Sequence, residues 1–344
     1  MADALPSPLP DTRAARPAGP RRPGDVRLQA AAPPLAAEHG GMTTGDGADF
    51  ALELPVVQRP TQSNRPGGRP DWLRVKLPYG DTFRDVQQTI ETHGLHTVCS
   101  SARCPNMGEC WTAGTATFMI LGNVCTRSCS FCAVLTGRPA QKDLDWDEPR
   151  RVEEAARLMG LKHVVVTSIN RDDREDGGAP IFADVIHRVH GLGATIEVLI
   201  PDLRGLRPAL ETVFEARPEV LNHNVETVPS LYRRVRPQGD YRRSLDVLAM
   251  AKTEHGLRTK SGIMVGLGET EAEVHALMAD FAETGIDVMT IGQYLQPTRH
   301  HLPVERFVHP DEFREYKRVG EALGIAHVES GPLVRSSYHA ERHV

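Results

Sequence analysis

The sequence predicts an α/β chain, a partial (β/α)6 barrel of the TIM type flanked by an N-terminal and a C-terminal extension. Two observations predict it. First, six short apolar runs, at 117–124, 163–169, 195–200, 219–226, 261–266 and 288–295, alternate with amphipathic helical patterns at 152–158, 181–192, 203–216, 244–254, 271–284 and 311–323. Short apolar strands separated by helices imply βαβ units and a parallel sheet, and six such units favour a barrel or part of one over a sandwich. Second, the runs end on polar residues: Cys125 after the first, Ser168 and Asn170 after the second, Asn222, Asn224 and Glu226 around the fourth, Gln293 and Tyr294 near the sixth. In barrels the C-terminal strand ends carry the site.

At 344 residues the chain is long enough to bury a substantial core. Charge is close to balanced, at −5 overall, so nothing in it points to a dedicated nucleic-acid binder. No apolar run has the length of a bilayer span, and the N-terminus lacks the basic-then-apolar layout of a secretory signal. Asp3, Asp11 and Asp25 interrupt its arginines, which argues against an organelle transit peptide. All six cysteines lie between positions 99 and 132. A disulfide framework would spread them, so the cluster reads as metal binding in a reducing cytoplasm.

Taken in order, residues 1–68 are rich in Pro, Ala, Gly and Arg and are expected to form a disordered tail, within which Met42 offers a second possible start. Trp72, Leu73, Val75 and Leu77 alternate as in a short extended segment. Phe83, Val86, Ile90 and Leu95 recur at helical spacing behind Asp81, a suitable N-cap. The expected divisions are an N-terminal extension over 69–114, the barrel over 115–325 and a C-terminal segment over 326–344.

Cys125, Cys129 and Cys132 are spaced C-x3-C-x2-C. Three thiolates fall short of a structural zinc site, which takes four protein ligands. They suffice for three irons of a [4Fe–4S] cluster and leave the fourth open to a substrate or cofactor. Cys99, Cys104 and Cys110 form a second triplet, C-x4-C-x5-C, and no further cysteine completes either set. A zinc-binding interaction protein is the alternative from a different class.

The motif Cys125–Cys132, with Phe131 before its last cysteine, resembles the radical S-adenosylmethionine superfamily. Its pairing with Ala102-Arg-Cys-Pro-Asn-Met-Gly-Glu-Cys-Trp111 is similar to the lipoyl synthases in particular. Further likeness lies in Thr167-Ser-Ile-Asn-Arg-Asp-Asp173, Asn222-His-Asn-Val-Glu-Thr227, Gly292-Gln-Tyr-Leu-Gln-Pro297 and Gly331-Pro-Leu-Val-Arg-Ser-Ser-Tyr-His-Ala340, covering roughly 70–340. Ser100 departs from the acidic residue common after the first cysteine, and Asn170 from a frequent Asp.

The resemblance implies two [4Fe–4S] clusters. One, on Cys125, Cys129 and Cys132, would chelate S-adenosylmethionine and yield a 5′-deoxyadenosyl radical that attacks C6 and C8 of an octanoyl chain held on a carrier lysine. The other, on Cys99, Cys104 and Cys110, would be the sacrificial sulfur source. Its fourth ligand would be Ser337, a harder and more readily displaced donor than thiolate, with Ser336 adjacent and Arg335 nearby. Thr167, Ser168 and Asn170 would face the methionine moiety, and Asn224 and Glu226, two apart and therefore on one side of a strand, its amine or the ribose. Implied partners are octanoylated lipoyl domains of 2-oxoacid dehydrogenase E2 subunits, the glycine-cleavage H protein, a reductant such as ferredoxin or flavodoxin, and an iron–sulfur carrier for cluster rebuilding. The nearest enzymatic alternatives are biotin-synthase-like and methylthiotransferase-like enzymes, which the first triplet's spacing and the serine tail disfavour. The glycine-rich run 261–269 offers backbone to adenine. Tyr232–Arg236 with Arg242 and Arg243 reads as a basic face, and His300 and His301 as exposed loop residues.

Overall fold

The computed structural model describes residues 68–75, 80–102, 104–112, 116–139 and 143–344, all within the compact unit 60–344. The tail expected over 1–68 lies outside the described residues but for Gly68, and so does Met42.

One eight-stranded sheet organises the described chain. Its strands are β1 (His96–Thr97), β2 (Thr117–Ile120), β3 (His163–Ser168), β4 (Thr195–Leu199), β5 (Val220–Asn222), β6 (Arg258–Val265), β7 (Val288–Gln293) and β8 (His327–Gly331), adjacent in that order. Every pair from β2 to β8 is parallel, and β1 joins β2 antiparallel. The sheet's two edges are β1 and β8, so the barrel is open between them. Crossovers are supplied by α2 (Glu148–Leu158), α3 (Ala179–Gly191), α4 (Arg207–Glu215), α5 (Tyr241–Thr253), α6 (Glu271–Thr284) and α7 (Pro310–Ala322). They follow α1 (Asp81–Thr92), which belongs to the N-terminal extension.

The sequence explains these elements locally. β2, β5 and β7 are buried along their whole length, as near-continuous apolar strands covered on both faces must be. On α3, Ile181, Phe182, Val185, Ile186 and Val189 make one buried stripe. Thr270 and Glu273 close a capping box at the start of α6, and Gly285 ends that helix with a left-handed φ of 77°.

All six strands read from the sequence are present, and β8 adds a seventh parallel one. It went unread because His327-Val-Glu-Ser-Gly carries one aliphatic side chain. Other expectations are corrected. Asp81 is not the cap of α1: Gly80, at φ 91°, precedes it and Asp81 pairs with Arg84 at 3.0 Å. Asp71–Leu73 is a 3-10 turn rather than an extended segment, and Leu77 lies outside the described residues. The pattern at 203–216 divides into a turn, Leu203–Gly205, and α4, because Pro208 is tolerated only in a helix's first turn. The run 219–226 leaves the sheet after Asn222, and the chain turns at Glu226, where φ is 73°. β6 starts before the expected 261, at Arg258, because Lys260 is buried there in an ion pair with Glu197.

After β8 the chain turns back. The Val334 carbonyl presses on β7 so closely that a Cβ on Gly292 would sit 2.1 Å from it. His343, nine residues later, packs its ring 6.4 Å from that of His327, at the start of β8. Segment 332–344 therefore runs from the C-terminal end of the barrel to its N-terminal end. The N-terminal extension meets it where Asn106 Nδ2 donates to the Leu333 carbonyl at 2.7 Å.

Candidate active site

Cys125 lies in a two-residue strand, Val124–Cys125, paired with Leu135–Thr136, and the loop from it to Cys132 is held from several sides. Ser130 donates from its backbone to the Val235 carbonyl at 2.9 Å and from its hydroxyl to the Arg234 carbonyl at 2.8 Å. His301 Nε2 donates to the Cys132 carbonyl at 3.0 Å. The backbone N–H groups of Asn170 and Arg127 point at the Cys125 sulfur, at 3.3 and 3.5 Å, which suits a sulfur carrying negative charge. Burial pushes the Cys132 thiol up to about 12 and raises that of Cys129. Thiols so placed become thiolates when bound cations supply the compensating charge.

The first triplet sits in the N-terminal extension. Cys99 is buried in the short helix Val98–Ser101, whose cap Thr97 accepts from Ser100 N at 3.2 Å. Cys104 N donates to the Cys99 carbonyl at 2.9 Å, and Cys110 lies in Met107–Thr112. Beneath them Trp111 packs on Phe83 of α1, ring centroids 5.1 Å apart. All six cysteines are free thiols. Among the described residues, no three His, Cys, Asp or Glu side chains converge on one metal ion. A cubane does not require that, since each cysteine of a triplet ligates its own iron.

Both triplets meet one space. A cavity of about 330 Å³ at the C-terminal strand ends is lined by Cys125, Cys129 and Cys132 and also by Cys99, Cys104 and Ser337. A second cavity, of about 570 Å³, is lined by all three cysteines of the first triplet together with Arg335 and Ser337. Cys99, Cys104, Arg335 and Ser337 thus form the wall between them. Burial pulls the Arg335 guanidinium down, opposed by the Cys104 thiolate.

Thr167, Ser168, Asn170, Asn224 and Glu226 all line the smaller cavity. The first two have committed their hydroxyls, Thr167 to the Leu199 carbonyl at 3.0 Å and Ser168 to the Ile169 carbonyl at 2.8 Å. Asn224 and Glu226 are not strand neighbours as expected. The left-handed turn at Glu226, bridged to Ile263, brings it to the cavity instead. Burial raises the Glu226 carboxyl against the pull of Arg236. Asn224 Oδ1, His223 Nε2 and Arg127 Nη1 are buried around this cavity with no hydrogen-bond partner among the described residues. Such orphaned groups suit a polar ligand that would complete them.

Three lining residues, Arg127, His223 and Arg236, were not given a site role from the sequence. Arg127 is buried, bonding Asp172 at 2.6 Å and Asp202 at 2.7 Å, and Arg243 holds the other Asp202 oxygen at 2.8 Å. Although burial alone would raise it, the Asp202 carboxyl is held well below the usual range, chiefly by Arg127. His223 donates from Nδ1 to the Ile200 carbonyl at 2.8 Å, and burial brings its pKa down to about 4. Arg236 donates to the carbonyl of Asn224 at 2.8 Å and to the Tyr232 hydroxyl at 3.0 Å. The expected basic face is therefore divided: Arg236 turns inward, Arg234 pairs with Glu305, and Arg233 and Arg242 stay exposed. Gln293 and Tyr294, read as mouth residues, do line the smaller cavity, and their polar ends also brace the fold. Gln293 accepts from Val308 N at 2.8 Å, and the Tyr294 hydroxyl donates to the Leu302 carbonyl at 2.8 Å. Among the described residues, no helix is long and apolar enough to cross a membrane.

Residues 119–281 match the family model of the radical SAM superfamily. The chain is 57% identical over 301 residues to a lipoyl synthase of Rubrobacter xylanophilus, covering 85% of this chain and 93% of that one. It is 52% identical over 283 residues to a lipoyl synthase of Flavobacterium johnsoniae, covering 82% and 98%. In fold it is similar to Streptococcus suis SuiB, solved bound to S-adenosylmethionine, with a TM-score of 0.51 at 12% identity over 74% of this chain and 58% of that one.

Proposed function

The chain belongs to the lipoyl synthase family within the radical SAM superfamily, and from that membership we propose that it inserts two sulfur atoms, at C6 and C8, into octanoyl groups carried on a lysine of lipoyl domains. It is a radical SAM sulfurtransferase, and S-adenosylmethionine and iron–sulfur chemistry come with the family.

Cys125, Cys129 and Cys132 would hold one [4Fe–4S] cluster, and Cys99, Cys104, Cys110 and Ser337 a second. With S-adenosylmethionine, these groups would supply the radical chemistry and the sulfur. The residues around them have separate tasks. The N–H groups of Asn170 and Arg127 orient the Cys125 sulfur. Asn224, Glu226 and His223 present polar atoms to a ligand beside it, and Arg335 places a cation next to Cys104. Phe131, Ile263, Met264 and Leu295 line the same cavity and exclude water from it.

The observation that carries this reading is the shared wall: Ser337 lies between the two cavities beside Cys99 and Cys104, and the smaller cavity reaches the other triplet. A biotin-synthase-like or methylthiotransferase-like reading leaves that serine without a task. The zinc reading lacks a set of side chains converging on one ion among the described residues. The divisions 69–114, 115–325 and 326–344 follow as cluster-bearing extension, radical barrel and serine-bearing segment. Carriers would be E2 lipoyl domains and the glycine-cleavage H protein. Ferredoxin or flavodoxin would supply electrons, an iron–sulfur carrier would rebuild the spent cluster, and the reducing cytoplasm would be the setting.

Anaerobic reconstitution tests the pair of clusters. About eight irons per chain are expected, falling to about half when Cys99, Cys104 and Cys110 are all replaced by Ala. Replacing Ser337→Cys should leave iron content intact and abolish sulfur insertion. Insertion at the normal rate in that variant would remove the weak-ligand role.

A further inference from the structure

Ser337 is one residue of a segment whose firmest hold lies elsewhere, inside the barrel. His343 is 1% exposed, and its Nδ1 accepts from the Lys260 ammonium at 3.2 Å. Lys260, on β6, is fully buried and donates to Glu197 Oε2 on β4 at 2.8 Å. The other oxygen of Glu197 accepts from Asn222 Nδ2 on β5, also at 2.8 Å. Three neighbouring strands therefore build one buried polar chain, and His343 enters it from outside the sheet. An ammonium in a dry interior is stable only with its donors engaged. The side chains facing His343 besides Lys260 are His327, Arg258 and His163, and burial together with these groups brings its pKa down to about 3. The imidazole is neutral at ordinary pH, so its Nδ1 lone pair is available to Lys260.

The same segment is held at its other end, where Leu333 accepts from Asn106 and the Val334 carbonyl packs against Gly292. Ser337 lies between the two holds. We propose that His343 is the positioning residue for Ser337: by accepting from buried Lys260 it anchors segment 332–344 across the open side of the barrel and keeps the serine at the first cysteine triplet. The proposal rests on the reading of Ser337 as a cluster ligand.

The test compares full-chain reconstituted enzyme carrying Ser337→Ala, His343→Phe, His343→Gln or the double change Ser337→Ala with His343→Phe. Phenylalanine keeps the bulk and removes the acceptor, whereas glutamine keeps an acceptor. The readout is the rate at which iron passes to a ferrous chelator, with 5′-deoxyadenosine release reporting the other cluster. Ser337→Ala and His343→Phe should each speed the loss of about half the iron roughly tenfold, the scale of a supporting contact behind a metal ligand. His343→Gln should stay near the parent rate, the double variant should be no faster than either single one, and 5′-deoxyadenosine release should hold in both His343 variants. If His343→Phe does not fold, His343→Ala takes its place. Equal rates for the phenylalanine and glutamine variants, or additive effects in the double variant, overturn the proposal. A parent-like rate in Ser337→Ala overturns the ligand reading itself.

Discussion

At the scale of single residues, buried charge decides what the site tolerates. Arg127 and Asp202 have side chains 3% and 0% exposed, so neither has water to fall back on. Removing one partner of a buried pair strands the other, at a cost of about 3–5 kcal/mol. Asp202→Asn should therefore lower stability by about that much in urea unfolding; a loss under about 1 kcal/mol would show that Asp172 alone satisfies Arg127 and that Asp202 is not the partner it depends on. Glu148 behaves differently. Burial raises its carboxyl to about 7, although Oε2 accepts from Leu121 N at 2.8 Å. Because the folded pKa lies above the unfolded value of 4.5, its contribution is full below that value and is lost as pH rises to about 7, on the order of 3 kcal/mol in all. Glu148→Gln should remove that slope from stability measured between these limits, and an unchanged slope would contradict it. Residues of this kind were not legible in the sequence. Arg236 looks like a member of a basic surface run, and the partners that bury Arg127, Asp172 and Asp202, lie far along the chain. The cysteines were legible because local spacing alone brings them together.

At the scale of elements, apolar runs disclosed β2 to β7, while β8 was hidden by its polar composition and Arg258 and Lys260 by their charge. What could not be read is the return of segment 332–344, since no pattern in its residues says which strand it crosses. The contact that fixes its path is the Val334 carbonyl on Gly292, where a side chain would meet the oxygen at 2.1 Å. Backbone oxygen cannot step aside as a flexible side chain does, so Gly292→Ala should displace the segment, costing about 1–3 kcal/mol. The expected signature is selective loss of iron from the first triplet, with 5′-deoxyadenosine formation retained. Loss from both triplets alike would mean the contact serves the barrel as a whole.

For the molecule as a whole, the open barrel is what lets Cys99 and Cys104 of the first triplet share a cavity with all of the second. The extension carrying Cys99, Cys104 and Cys110 packs along the β1 and β2 edge, the segment carrying Ser337 returns from the β8 edge, and Asn106 joins the two through Leu333. The barrel supplies Cys125, Cys129 and Cys132 at its C-terminal end. The central claim is that these parts act together on an octanoyl chain. Mass spectrometry of an octanoylated carrier peptide, incubated anaerobically with reconstituted enzyme, S-adenosylmethionine and reductant, tests it most directly. A gain of two sulfur atoms is expected, and none when Cys99, Cys104 and Cys110 are replaced by Ala. Formation of 5′-deoxyadenosine with no sulfur gained by the peptide, or sulfur gained without those three cysteines, would contradict the account.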